Sequence, residues 1–226
     1  TYIHCLDTGM MAAFLGLSMG FSTARLKDLT VSGMLHDIGK TKIPNEIINK
    51  QGKLADNEFQ IIKQHPQYGK DILTKLGVLS DEVIEGVFQH HERYDGSGYP
   101  RGLSGRQISQ FGRIISICDV FTAVSANRSY RVRFKPNEAY ELILSGSGSM
   151  FDPELVEEFR NTFFIYPLGS CVKLSNGVEG YVGNQNEHFP DRPIIRVVYE
   201  GTDKKPISPY ELDLLKHNDI IIEEVI

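Results

Sequence analysis

The chain has 226 residues, 41% hydrophobic and 23% charged, enough to bury a core without disulfide or metal staples. Its net charge of −5 disfavours a general binder of polymeric nucleic acid, and no run approaches the roughly 18 apolar residues of a membrane span. Three scattered cysteines (Cys5, Cys118 and Cys171) with no CxxC pair argue against a disulfide framework or a thiolate metal site and fit a reducing, cytoplasmic setting.

Taken in chain order, the sequence is helical from its first residues, which leads us to expect more protein upstream. No signal-peptide pattern is present, and Met10 to Phe21, short and carrying glycine and serine, reads as a buried helix. Residues 24–38 place apolar groups at helical spacing, and Asp56 is the expected N-cap of a run through His65. Gly69 to Leu76, Asp81 to His91 and Arg113 to Val124 continue the helical pattern. The long glycine-rich connection from Tyr94 to Gln107, with Pro100 inside it, has the length of a functional loop. Pro136 opens another helix, the turn Ser145-Gly146-Ser147-Gly148-Ser149 closes it, and Asp152-Pro153 starts a last one.

The pattern changes after Tyr166-Pro167. Cys171 to Ser175 and Val178 to Gly183 flank Asn176-Gly177, a strong hairpin signal, and Ile194 to Tyr199 and Ile220 to Val225 read as further strands. The expectation is a mostly α chain, a helical bundle over residues 1–166 followed by a small β-rich domain over 167–226.

Five of the seven histidines (His4, His36, His65, His90 and His91) fall in the first 91 residues. With Asp37 and Asp119 they lie in otherwise apolar helical stretches, where imidazoles and carboxylates need partners. A shared cation satisfies all of them at once. Adjacent helical residues differ by about 100° in direction, so His36-Asp37 can serve neighbouring metal positions, with Asp37 as the natural bridge. Imidazole and carboxylate ligands without cysteine suit iron, manganese or zinc. Two such ions about 4 Å apart imply phosphoester hydrolysis. Cys5, Cys118, His188 and His217 read as packing or surface residues. Residues 93–135 hold eight basic side chains and two acids, a charge of +6 against −11 for the remainder, which suits an anionic ligand.

The strings His36-Asp37-Ile38-Gly39-Lys40 and HHERYDGSGYP over 90–100 closely resemble the HD-GYP subgroup of the HD phosphohydrolase superfamily, across about residues 1–165. The resemblance implies an HD-type bundle and a phosphodiesterase that opens cyclic di-GMP to linear pGpG, with GMP as a possible end product. It implies His4, His36, Asp37, His65, His90, His91 and Asp119 as ligands of two metal ions, iron or manganese. A third ion is left open, because the glutamate that holds it in some relatives would precede Thr1. Lys40 resembles the lysine that steadies the scissile phosphate, and Gly98, Tyr99 and Pro100 the loop that shapes the pocket. Arg128 and Arg131 match basic residues facing substrate. After Asp119 the sequence reads VFTAVSANRSYR where the family has a form close to YDALTSDRPYR, keeping the arginines but losing the proline and several small polar groups. Expected partners are cyclic di-GMP and a homodimer mate or signalling proteins. The competing readings are a phosphodiesterase for another cyclic nucleotide and a receptor or interaction module without turnover.

Overall fold

The computed structural model describes residues 2–125, 136–187, 189–201 and 205–226. It divides into two compact units, residues 1–159 and 160–226.

In the first unit α1 (Tyr2–Ser18) packs on α2 (Thr23–Leu35) and on α7 (Gln110–Ser125), and α6 (Asp81–Gln89) packs on both α2 and α7. Their shared core is apolar, with Ala12, Leu15, Leu29, Val83, Phe111, Ile114, Ile115 and Ile117 fully buried. Beside it, α5 (His65–Leu76) lies against α6 and against a 3₁₀ turn over Ile38–Lys42. There Leu73, Ile84 and Val87 form a second cluster with Leu35 and Ile38. Short α3 (Asn45–Ile48) and α4 (Asp56–Ile62) touch each other between the 3₁₀ turn and α5, and α8 (Pro136–Ser145) and α9 (Pro153–Thr162) follow α7 in the chain. Asp152 caps α9 as expected, its carboxylate accepting the Glu154 N–H while also pairing with Arg113.

Two expected helices end differently. Ala55, not Asp56, occupies the cap position of α4, and the Glu58 carboxylate accepts the Ala55 N–H at 2.7 Å. The helix stops at Ile62 because Pro66 cannot donate to a continuing ladder. Instead the proline sits in the first turn of a new helix that starts at His65. Likewise α2 stops at Leu35 and α6 at Gln89.

The second unit holds a five-stranded antiparallel sheet of order β4-β3-β2-β1-β5, with β1 Cys171–Leu174, β2 Val178–Asn186, β3 Phe189–Glu200, β4 Lys205–Asp213 and β5 Ile222–Val225. The Asn176-Gly177 turn joins β1 to β2 as expected, with Gly177 at φ 83°, a value glycine adopts at little cost. Val172, Leu174, Val178, Val182, Ile195, Val197, Leu212 and Ile222 fill its core. β4 was not foreseen. Its Pro206 and Pro209 argue against a central strand, and it lies at the sheet edge, where an unpaired N–H is not needed.

Candidate metal centre

The histidines and aspartates converge from five helices and the turns that end them. His4 comes from α1 and Asp119 from α7. His36 is the C-cap of α2, and Asp37 follows in the turn at φ −97°, ψ 5°. The His-Asp pair therefore stands at a helix end, not within a helix as its pattern suggested. His65 opens α5, His90 caps α6 at its C-terminus, and His91 lies just beyond. Helix ends bring ligands together because several elements can point inward there without crossing.

Close backbone approach seats them. A Cβ on Gly39 would stand 1.9 Å from the His65 carbonyl oxygen, so only glycine lets the turn after Asp37 lie against the start of α5.

Three imidazoles are oriented alike. His36, His65 and His90 place Nδ1 at 2.7, 2.7 and 2.6 Å from the carbonyls of Gly33, Ile62 and Val87, each three residues earlier. A carbonyl only accepts, so each Nδ1 carries the proton and each Nε2 presents a lone pair inward. The His4 ring is tied differently: its Nδ1 lies 3.1 Å from the Thr122 hydroxyl, which itself donates to the Cys118 carbonyl.

Ligand atoms then gather in two groups, His65, His90 and His91 on one side and His4, His36 and Asp119 on the other, each within 4.8 Å internally. Asp37 reaches both, with one oxygen 3.4 Å from His65 Nε2 and the other 3.4 Å from His36 Nε2. His4 Nε2 is 2.9 Å from Asp119. The Nε2 atoms of His65 and His90 face each other at 3.2 Å. Burial pushes His65 down to about 4 and holds His90 and His91 well below the ordinary imidazole range. Two unprotonated acceptors therefore meet with no hydrogen to share, an arrangement that a cation relieves.

Asp37 and Asp119 are ionised. Burial alone would raise both, but the neighbouring His36, with Lys40 behind it, holds Asp37 well below the usual carboxylate range, and His4 does the same for Asp119. His36 Nε2 and one oxygen of Asp37 are buried with no hydrogen-bond partner. Orphaned groups of this kind are costly in a native core, and both belong to the set that would hold a metal. The residues fit divalent ions.

Residues 7–155 match the family model described as HD domain. The chain belongs to the HD-domain family. Its HHERYDGSGYP string makes it an HD-GYP protein, and HD membership together with the histidine and aspartate clusters implies divalent-metal binding. It is 34% identical over 214 residues to the cyclic di-GMP phosphodiesterase PA4108 of Pseudomonas aeruginosa, covering 95% of this chain and 51% of that protein. It is 41% identical over 124 residues to the 3'3'-cGAMP-specific phosphodiesterase 2 of Vibrio cholerae, covering 54% of this chain and 24% of that protein. The chain thus spans about half the length of the first of these curated relatives and less of the second. In fold it is similar to an HDG"Y"P protein from Bdellovibrio bacteriovorus, with a TM-score of 0.57 at 19% identity over 70% of this chain and 50% of that one.

The HD-GYP loop is bound to the centre. Tyr99 stacks on His91 with ring centroids 4.8 Å apart, and its N–H donates to the His91 carbonyl at 3.1 Å. A Cβ on Gly98 would meet the Arg93 nitrogen at 2.3 Å, so the loop closes only with glycine there. Pro100 follows through a cis peptide bond. Lys40 places Nζ 2.6 Å from Asp37 while staying a third exposed. Arg128 and Arg131 lie outside the described residues. His188 does too, and His217 is exposed as expected.

Sequence reasoning missed several contributors. Glu92 is buried, and its two oxygens accept the N–H groups of Arg101 at 2.8 Å and Leu103 at 3.0 Å, pinning the loop after Pro100. Its place inside the signature string was the available signal. Thr122, the partner of His4, gave none, because the contact spans 118 positions. Cys5, expected to be a packing or surface residue, has its sulfur grouped with His36 and Asp37. Burial pushes that thiol up to about 11, so it is protonated at neutral pH and a poor ligand. Cys118 is fully buried.

Proposed function

We propose that this chain is a metal-dependent phosphodiesterase that hydrolyses cyclic di-GMP to linear pGpG. The facing lone pairs of His65 and His90, with the carboxylate of Asp37 shared between the two ligand groups, carry the reading. His65, His90 and His91 would hold one ion and His4, His36 and Asp119 a second, with Asp37 bridging. Iron or manganese suits this donor set. Such a pair supplies an activated water and neutralises charge on the phosphoryl group.

The chain's own residues do the rest. Lys40, held by Asp37 yet partly exposed, offers positive charge to the scissile phosphate. The Gly98-Tyr99-Pro100 loop, fixed on His91 and Glu92, walls the site, and Arg128 and Arg131 are assigned to the substrate's phosphate or base. Water adds to phosphorus, the bond to the 3' oxygen breaks, and that oxygen takes the proton, leaving a 5'-phosphate. The name of the Pseudomonas relative, matched along nearly the whole chain, supports cyclic di-GMP. The cGAMP-specific Vibrio relative supports a second reading, in which the mixed dinucleotide is the substrate.

Purified anaerobically and loaded with iron or manganese, the protein should bind two ions and turn over cyclic di-GMP, whereas His65→Ala and Asp37→Ala should not. Full metal occupancy with binding but no turnover would convert the reading to a receptor. Faster turnover of 3'3'-cGAMP would select the second substrate.

A further inference from the structure

Lys63 stands just past the end of α4, two residues before His65, and it is half-buried. Its ammonium lies 5.0 Å from the ring centroid of Phe59, one helical turn earlier, and 5.2 Å from that of Tyr99. Tyr99 in turn stacks on His91, so the charge is one ring away from the histidine cluster. Lysines nearby in the sequence are committed: Lys40 to Asp37, Lys50 to Glu58 and Lys70 to Glu85. Among the described residues no carboxylate pairs with Lys63. Its ammonium lies over two aromatic rings, and its N–H donors are left for an anion.

A cyclic dinucleotide carries two phosphodiesters, and only one can occupy the ligand cluster at a time. The other must keep its water or meet a cation. We propose that Lys63, held on Phe59 and Tyr99, binds the phosphodiester that is not being cleaved. The inference rests on the reading of the substrate as a cyclic dinucleotide. Cation–π contact of this kind holds the ammonium weakly and leaves its N–H groups free to donate. Holding the side chain in place beforehand lowers the ordering cost of taking up the phosphate.

The test compares parent, Lys63→Gln and Lys63→Arg, each loaded with manganese, on cyclic di-GMP and on bis(p-nitrophenyl) phosphate, which has a single phosphodiester. Lys63→Gln should raise KM for cyclic di-GMP by about ten- to a hundredfold, the range for losing a charged hydrogen bond. Its kcat, metal content and rate on the single phosphodiester should stay within about twofold of the parent, and Lys63→Arg should recover most of the KM. Parallel losses on both substrates would mean that Lys63 only props Tyr99, and no change on either would mean that it meets no phosphate; both overturn the proposal. A parent that binds cyclic di-GMP without cleaving it counts against the hydrolase reading alone, and the same comparison is then made on Kd. A parent that binds no cyclic dinucleotide overturns both.

Discussion

The two units differ in what they bury beside their apolar cores. The sheet unit fills its interior with Val172, Leu174, Val182, Ile195 and Val197. Those residues need only one another. The helical unit has an apolar core of similar kind, but beside it lie His4, His36, Asp37, His65 and His90, all largely out of water. Their hydrogen bonds are half made: the Nδ1 edges are tied to backbone or to Thr122, while the inner edges face each other. An interior that satisfies itself is a scaffold, and one that satisfies its outer edges while leaving the inner ones converging is a receptor for something positive.

The sharpest way to break this contrast is to remove a group from each interior. Asp37→Ala should abolish two-ion binding and lower turnover by more than about a hundredfold, the upper end for losing a partner that merely orients a ligand. It should leave the fold intact, because the lost carboxylate has an orphaned oxygen. Circular dichroism with metal analysis checks both halves of that outcome, and a variant that still binds two ions would remove Asp37 as the bridge. Leu174→Ala should do the reverse. This fully buried side chain should cost about 2–5 kcal/mol of stability in urea unfolding, with metal content and turnover unchanged below the transition. Loss of metal in that variant would mean that the two interiors are not independent.

The same contrast explains what was legible in the sequence. Histidine and aspartate are expensive to bury, so their recurrence in apolar stretches announced the centre, and the HHERYDGSGYP string identified its loop. Asn176-Gly177 announced the hairpin for an equally local reason. What stayed hidden depended on distant contacts or on competing local signals. The HD pair looked helical because residues 24–35 are, and only tertiary packing against α5 puts it in a turn. β4 was masked by prolines that an edge strand tolerates. Thr122 carries no pattern of its own, and Glu92, though inside the signature string, shows its role only through the N–H groups it meets.

Thr122 gives the next prediction in size. Thr122→Val keeps the shape but leaves His4 Nδ1 without its hydroxyl, freeing the ring that Asp119 holds on its other edge. Affinity for the ion on the His4 side should fall by about ten- to a hundredfold in a chelator competition, with the one on the His65 side held as before. Thr122→Ser, which retains the hydroxyl, should restore most of it. Equal affinity in parent and valine variant would show that Asp119 alone orients His4.

Glu92 should have the smallest effect, and it separates the loop from the centre. Its carboxylate is not among the grouped ligand atoms and acts only on the N–H groups of Arg101 and Leu103. Glu92→Gln keeps one acceptor and turns an NH₂ toward the other N–H, leaving that donor unsatisfied at a cost of about 1–3 kcal/mol. The loop carrying Tyr99 should loosen while the ligands stay in place. Two ions should still bind, and kcat/KM for the dinucleotide should drop by about tenfold. If metal binding fell along with turnover, the loop would be part of the centre's support and the histidines would depend on Tyr99 stacking against His91. If neither changed, the contact of Tyr99 with the His91 carbonyl would suffice to hold the loop, and Glu92 would serve the backbone alone.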